Sequence, residues 1–300
     1  MGRICSRQCW VKLMQGTSHD DLEHWIDQLG VLVRTNHCSA PLFIKPFHLV
    51  TLAHILRQKK VANLRLPPKL RSYANTMNLW GALNIVPPDD IHYRQPRGRY
   101  HPIELLINRH SLEDLSDKLV ELFARGNVNS DTLSAQGTML REVIDNCYSH
   151  ANVLDGVAGA VCAQVWIGGG KGQIAIADNG IGIRGSLAQN PLLLHRLTLE
   201  NGCKLATEYE VTSKPGMGHS GYGLTVVRKL LEQNRGTLFV RSMDECFIVT
   251  CNKFKTFNFL RKWCGTLLII EWDLENNMNI GEVYGMLPLP EGMTDEDFQI

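Results

Sequence analysis

Two neighbouring apolar runs in the middle of the chain constrain its fold most strongly. They read GAVCAQVWIG at 159–168 and GQIAIAD at 172–178, and the glycine-rich turn 168–172 joins them. Short apolar runs bounded by glycine indicate buried strands. The second run ends on Asp178, and a carboxylate that stays buried without a partner is costly. The sequence therefore predicts a buried strand that ends where a hydrogen-bond donor is needed.

The residues around this strand end read DNGIGI. An exocyclic amine such as that of adenine is a donor that a carboxylate accepts strongly. Gly180 and Gly182 would let the backbone approach a flat ligand where a Cβ would intrude. The alternative is an ordinary turn, because Asp-Asn-Gly is a common hairpin signal. This hexapeptide alone leaves both interpretations open.

Upstream, the segment LREVIDNCYSHA carries Glu142 and Asn146 four residues apart on a predicted helix, hence on one face. An amide oxygen suits a magnesium ion that is also held by phosphates. A glutamate one turn earlier could orient and deprotonate a water or hydroxyl near a terminal phosphate. A solvated polar helix face is the alternative.

Downstream, the segment TSKPGMGHSGYGLTVVRKL places several glycines just ahead of a predicted helix. Free N–H groups and the helix dipole make a helix N-terminus suitable for phosphate, and glycines allow close approach. Thr212, Ser213 and Lys214 add hydroxyls and a positive charge. The spacing fits neither a P-loop nor a dinucleotide-binding fingerprint. A flexible loop is the alternative interpretation.

In this order, the three segments resemble the GHKL ATPase superfamily, which groups gyrase, the large heat-shock chaperone, histidine kinases and mismatch-repair ATPases; bacterial anti-sigma-factor kinases share its fold. EVIDN resembles the N-box, DNGIGI and GHSGYGL the two glycine boxes, and GTLLIIEWDL the final Gly-Thr strand. The resemblance covers about residues 105–275. It implies the α/β fold class, as a two-layer α/β sandwich (the Bergerat fold) with a mixed sheet.

The resemblance also implies residue roles. Asp178 would bind the adenine amine with Gly182 beside the base, and Asn146 would hold Mg²⁺. Glu142 would be the general base, as in the ATP-hydrolysing members and the anti-sigma kinases. Residues 184–220 would form the ATP lid. The remaining implied nucleotide-binding residues are Gly180, Thr212, Ser213, Lys214, Gly218, Gly221, Tyr222, Gly223, Leu224 and Thr266.

The chain before residue 100 alternates between strand-like and helix-like segments. VLVRT at 31–35 and VANLRLPP at 61–68 read as strands, each followed by a helical pattern. This alternation predicts a small α/β domain. The stretch SAPLFIKPFHLVTLAHILRQKKVANLRLP distantly resembles a STAS domain, the anti-sigma antagonist fold. The phospho-acceptor serine of that family is missing here, where Pro46, Phe47 and His48 stand, so we expect a scaffold role.

The predicted organisation has four parts. They are an N-terminal extension (1–30), the small α/β domain (31–100), the ATP-binding domain (101–275) and an acidic, loosely held C-terminal tail (276–300).

Charge, apolar runs and cysteine spacing give no sign of a nucleic-acid-binding, membrane-spanning, secreted or zinc-binding protein. The net charge of +1 gives no indication of binding to nucleic acid or to an anionic membrane. No apolar run approaches the roughly 20 residues that span a bilayer, and no secretory signal is recognised. The nine cysteines are scattered, without the paired spacing of a zinc site. We therefore expect a cytoplasmic protein with reduced thiols.

The expected function is that of an ATP-binding, Mg²⁺-dependent regulatory switch. It would hydrolyse ATP slowly or transfer the γ-phosphate to a protein, as a serine/threonine kinase of the anti-sigma type does. The alternative is a nucleotide-gated interaction module with weak catalysis, because neither a phospho-acceptor helix nor a transducer domain is recognised. The expected partners are ATP and an unidentified protein partner or substrate, with a homodimer left open.

Overall fold

A five-stranded sheet organises the chain. The computed structural model describes residues 16–60, 64–87, 98–126, 128–150, 156–215 and 221–288. The strands are β1 (Tyr100–Leu106), β2 (Gly159–Trp166), β3 (Lys171–Asp178), β4 (Thr237–Thr250) and β5 (Lys253–Asp273). The helices that precede the sheet are α1 (His19–Thr35), α2 (Pro46–Lys59), α3 (Pro68–Thr76) and α4 (Leu79–Leu83). Those that follow β1 are α5 (Leu112–Ala124), α6 (Ser130–His150), α7 (Ile183–Leu187), α8 (Leu194–Leu199), α9 (Gly202–Leu205), α10 (Gly223–Asn234) and α11 (Ile280–Met286).

The strand order is β1-β2-β3-β5-β4. β2 and β3 pair along their whole length, from Gly159 opposite Asp178 to Trp166 opposite Lys171. This confirms the α/β class and the strands predicted on either side of the glycine-rich turn. The prediction of a mixed sheet is wrong, because every described strand pair is antiparallel.

Helices cover both faces of this sheet. Alternate side chains of β2 point to opposite faces: Val161 and Val165 pack with α5, α6 and α10, whereas Ala160 and Cys162 pack with the helices before the sheet. Leu267 and Leu268 divide in the same way on β5. Strands that are buried on both faces need apolar residues at successive positions. This explains why the two runs at 159–168 and 172–178 are almost uninterrupted in their apolar character.

The segment before residue 100 differs from its prediction. Residues 31–35 form the last turns of α1, so the predicted strand VLVRT is wrong. The buried positions Leu22, Trp25, Leu29 and Leu32 recur at helical spacing, and their packing overrides the β-branched character of the two valines. No strand is present among the described residues from 16 to 99.

The STAS-like resemblance is therefore not confirmed. Residues 61–63 of the predicted second strand lie outside the described residues, and 64–67 are not extended into a sheet. The four-part domain organisation stays a prediction. The helices before residue 100 share one hydrophobic core with strands that come after it.

A buried polar cluster joins this helical layer to the sheet. Glu271 of β5 accepts hydrogen bonds from Thr17 N–H and the Thr17 hydroxyl, both at 2.6 Å, and from Gln173 Nε2 at 2.6 Å. Lys45, which precedes α2, places its Nζ 3.0 Å from Glu271 Oε1. Burial acts to raise the pKa of Glu271, but the charge of Lys45 and the Thr17 hydrogen bonds outweigh it, and the pKa is lowered. The Glu271 carboxylate is thus ionised, and its charge is balanced by Lys45 and by the hydrogen bonds from Thr17 and Gln173.

The predicted C-terminal tail is partly ordered. Met278 and Val283 are buried in the main core, and α11 packs against α6 and α10. Met278 N–H also donates to the Thr132 hydroxyl at 3.0 Å. The prediction of a loosely held tail is therefore wrong for 276–288, because two apolar side chains fix it. Residues 289–300 lie outside the described residues.

None of the helices in the described ranges is long and apolar enough to cross a membrane. The cysteines that the structure describes are all free thiols, and four of them are buried: Cys147, Cys162, Cys203 and Cys246.

We expect the substitution Lys45→Met to lower the free energy of unfolding by about 3 kcal/mol. It leaves the buried Glu271 carboxylate without its cation, and breaking a buried ion pair costs about 3–5 kcal/mol. Urea unfolding at pH 7 measures the effect. Lys59→Met, at the exposed end of α2, is the matched control. Equal stability of the two variants would contradict the role given to Lys45.

Candidate active site

A cavity of about 450 Å³ opens at the end of β3. Its walls come from α6, the start of α10, Thr266 and Leu268 of β5, and the residues that follow β3. All but two of the predicted site residues line this cavity. The predicted residues that line it are Glu142, Asn146, Asp178, Gly180, Gly182, Thr212, Ser213, Gly221, Tyr222, Gly223, Leu224 and Thr266.

Asp178 lies at the floor of this cavity with 8% of its surface exposed. Its Oδ1 accepts the backbone N–H of Gly180 at 2.6 Å and that of Thr266 at 3.1 Å. Burial raises the pKa of Asp178 to about 6, although these hydrogen bonds act in the opposite direction. The carboxylate is therefore mostly ionised at neutral pH, in a setting where a further donor would be favourable.

Two glycines hold the backbone close to this carboxylate. Gly265 has φ +87, and a Cβ there would overlap the carbonyl oxygen of Asp178. Gly182 has φ +80, and a Cβ there would lie 2.8 Å from the Ser242 hydroxyl, which accepts the Ile183 N–H. Both conformations favour glycine. Glycine is thus required at position 182 for its close contact with Ser242 of β4, in addition to the predicted space for an adenine base.

The opposite wall is the face of α6 that carries Glu142 and Asn146. Burial raises the pKa of Glu142, and the negative charge of Asp145 adds to this effect. Among the described residues, none donates a hydrogen bond to the Glu142 carboxylate or forms an ion pair with it. A Cβ at Gly223 would overlap Glu142 Oε2, so the glycine lets α10 approach this carboxylate. Glu142 is therefore a carboxylate of raised basicity that faces the cavity.

The third wall offers unsatisfied polar groups. α10 begins at Gly223, and no side chain caps its N-terminus. Its first N–H groups therefore lack an intrahelical acceptor. The Ser213 hydroxyl is buried and has no hydrogen-bond partner within the described part of the chain. Such groups suit a ligand that brings oxygen atoms.

Two predicted residues do not line the cavity. Lys214 donates its Nζ to the backbone carbonyl of Ser149 at 3.0 Å, at the end of α6. Gly218 lies outside the described residues. Tyr222 has a further contact, since its hydroxyl donates to the Pro288 carbonyl at 2.9 Å and ties the C-terminal segment to the cavity rim.

Sequence reasoning missed several lining residues. Arg109 follows β1 and pairs with Asp145 of α6 at 2.5 Å. His150 Nδ1 lies 3.1 Å from the Ser186 hydroxyl, which joins α6 to α7. No spacing signal marks Arg109, because it lies more than thirty residues from the N-box. Asp145 could have been found, since it stands between the two predicted residues of that box.

A comparison with protein families matches the part of the chain that supplies most of the residues lining this cavity. Residues 134–259 match the family described as histidine kinase-, DNA gyrase B-, and HSP90-like ATPase. These residues form a GHKL-type ATPase domain. The match, which covers less than half of the chain, implies that this domain binds ATP. The matched range contains the N-box and both glycine boxes, and it ends within β5 before Thr266. A comparison with curated proteins found no match.

We expect Asp178→Asn to raise the stability of the ATPase domain without ligand. The pKa of about 6, against 3.8 for an ordinary aspartate, means that ionisation destabilises the folded state by up to about 3 kcal/mol. Stability is lost as the pH rises from 3.8 through 6. Asparagine can still accept both N–H groups, so its gain should be larger at pH 7 than at pH 5.

Urea unfolding at the two pH values measures this difference. Asp117→Asn, an exposed site on α5, is the control and should show no such gain. A loss of stability in Asp178→Asn at pH 7 would contradict the assigned burial cost.

Proposed function

We propose that the cavity binds Mg-ATP and that the protein hydrolyses ATP slowly or transfers its γ-phosphate to a protein. The observation that carries this proposal is the convergence of residues from the N-box and both glycine boxes, together with Thr266, on one cavity, in a chain that contains a GHKL-type ATPase domain. Asp178 accepts a hydrogen bond from the adenine amine. The N-terminus of α10 and Ser213 meet the phosphates.

The donor set supports a magnesium ion that arrives with the nucleotide. The part of the chain that the structure describes holds no group of three or more His, Cys, Asp or Glu side chains arranged for a metal. Mg²⁺ is usually held by one or two protein oxygens together with phosphates and waters. The Asn146 amide oxygen, beside the carboxylates of α6, fits that arrangement. When bound, Mg²⁺ would neutralise charge that develops on the phosphates.

Glu142 is the proposed general base. It takes a proton from a water, which then attacks the γ-phosphate, or from a protein hydroxyl that acts as the acceptor instead. The raised pKa of Glu142 increases its basicity and brings it nearer to neutral pH. A base works when it is deprotonated, so turnover should fall as the pH drops through this raised pKa.

A regulatory switch is supported by the segment between β3 and α10. Its short helices enclose a small hydrophobic cluster of their own, formed by Leu187, Leu193, Leu197, Leu205 and Val211. Arg184, from the same segment, forms an ion pair with Glu245 of β4, with 2.5 Å between Nη2 and Oε1. We propose that the segment is the ATP lid and that it moves as a unit when nucleotide binds, which changes the surface offered to a protein partner.

A second candidate is a nucleotide-gated interaction module without useful catalysis. The contact of Tyr222 with Pro288 favours it, because it links a cavity residue to the C-terminal segment without any chemical step. If ATP and a non-hydrolysable analogue drive the same partner binding, this candidate is preferred. Incubation with γ-labelled ATP and cell extract separates a kinase, which labels a specific protein, from an ATPase, which releases phosphate.

We expect Glu142→Gln to lower the rate of phosphate release or transfer at least about 100-fold, which is the usual contribution of a general base. ATP affinity should change little, since the glutamine keeps the shape of the side chain. Single-turnover assays with Mg-ATP measure the rate. Glu121→Gln, on the exposed face of α5, serves as the control. Wild-type turnover in Glu142→Gln would exclude Glu142 as the base.

We expect Asp178→Asn to weaken ATP binding about tenfold or more, because a charge-assisted hydrogen bond to the adenine amine is replaced by a weaker one or by two facing donors. Calorimetric titration with ATP and with GTP tests the assignment. GTP lacks the amine at this position, so the variant should lose its preference for ATP. An unchanged ATP affinity would refute the adenine contact.

A further inference from the structure

The cavity carries more negative than positive charge. Three carboxylates line it, those of Glu142, Asp145 and Asp178. Of the lining residues that the structure describes, Arg109 is the only arginine or lysine. Lys214, the cation predicted from the glycine-rich loop, instead bonds the Ser149 carbonyl. A triphosphate brings several further negative charges, so a protein cation at the phosphate end of the cavity would be favourable.

Arg109 is held in a position to supply that charge. It begins a one-turn 3₁₀ helix, Arg109–Ser111, directly after β1. Asn108 fixes this turn, since its side chain accepts the His110 N–H at 3.0 Å and its carbonyl accepts the Ser111 hydroxyl at 2.7 Å. The Arg109 guanidinium then reaches Asp145 of α6 at 2.5 Å. The turn therefore places Arg109 at the cavity wall, although this residue lies outside the matched range 134–259.

The pairing partner locates the guanidinium at the phosphate end. Asp145 is adjacent to Asn146, the proposed metal ligand, and lies one helical turn from Glu142, the proposed base. Asp178, the proposed adenine contact, lies instead at the floor of the cavity. A cation bound to Asp145 thus lies near the reacting end of the nucleotide.

The ion pair between Arg109 and Asp145 is exposed enough for a phosphate to replace Asp145 as the partner of the guanidinium. The Arg109 side chain is 60% exposed and that of Asp145 is 31% exposed. Exposed ion pairs contribute little to stability. An arginine binds phosphate oxygens through two parallel N–H donors, and phosphate offers it more negative charge than one carboxylate.

We propose that Arg109 is a phosphate-binding residue of this site, which Asp145 orients while the cavity holds no nucleotide and which moves to the terminal phosphates of ATP. This inference rests on the proposed function. It assigns a contact that lies outside the recognised sequence boxes of the ATPase domain.

The test is calorimetric titration of full-length variants with ATP, ADP and adenosine in the presence of Mg²⁺. Arg109→Gln should weaken ATP binding about tenfold or more, weaken ADP binding less, and leave adenosine binding within about twofold. Arg109→Lys should bind ATP with an affinity between those of Arg109→Gln and the wild type, because it keeps the positive charge but loses the two parallel N–H donors. Unchanged adenosine binding also shows that the variant is folded.

Two matched variants separate a phosphate contact from a structural ion pair. Asp145→Asn breaks the same pair but leaves the guanidinium, so ATP affinity should stay equal or increase. Arg141→Gln removes an arginine of α6 that pairs with Glu113 at 2.7 Å and does not line the cavity, and it should have no effect.

The inference is overturned if Arg109→Gln binds ATP as the wild type does, or if Arg109→Gln and Asp145→Asn lose ATP affinity equally. Failure of the proposed function looks different. In that case the wild-type protein binds neither ATP nor adenosine, and both proposals fall together.

Discussion

The buried carboxylate of Asp178 is the constraint on which the site depends. It stands at the end of β3, and its oxygen accepts N–H groups from the turn that follows and from Thr266 of β5. This geometry requires Gly265 to lie against the Asp178 carbonyl. Burial raises the pKa of the carboxylate to about 6, so its ionised form costs stability in the absence of a ligand. A charge kept at such a cost is typical of a binding site.

The sheet holds this carboxylate in a buried position because helices cover both of its faces. One face packs on α5, α6 and α10, and α6 and α10 also supply two walls of the cavity. The helices before residue 100 cover the other face, and the cluster around Glu271 and Lys45 fixes them there. By contrast, the segment between β3 and α10 has a separate, smaller hydrophobic cluster. Motion in the site is therefore expected on the lid side and not in the sheet.

Prediction from sequence worked where a residue acts through its near neighbours. The strand that ends at Asp178, the face shared by Glu142 and Asn146, and the helix that begins at Gly223 all follow from spacing and from glycine. Prediction failed where distant packing decides the structure. Three of the five residues 31–35 are β-branched, but the segment continues the buried helical stripe of α1. Arg109 carries no local signal, because its partner Asp145 lies far along the chain, on α6.

The sequence by itself determined the local geometry of the site, because hydrogen-bonding groups and glycines at strand and helix ends are specified within a few residues. It also determined that β2 and β3 are buried, through their continuous apolar character. Only the tertiary structure decided what covers the second face of the sheet, that residues 276–288 belong to the core, and which cation faces the carboxylates of α6. Those outcomes depend on contacts between residues far apart in the chain, and neither periodicity nor local propensity encodes such contacts.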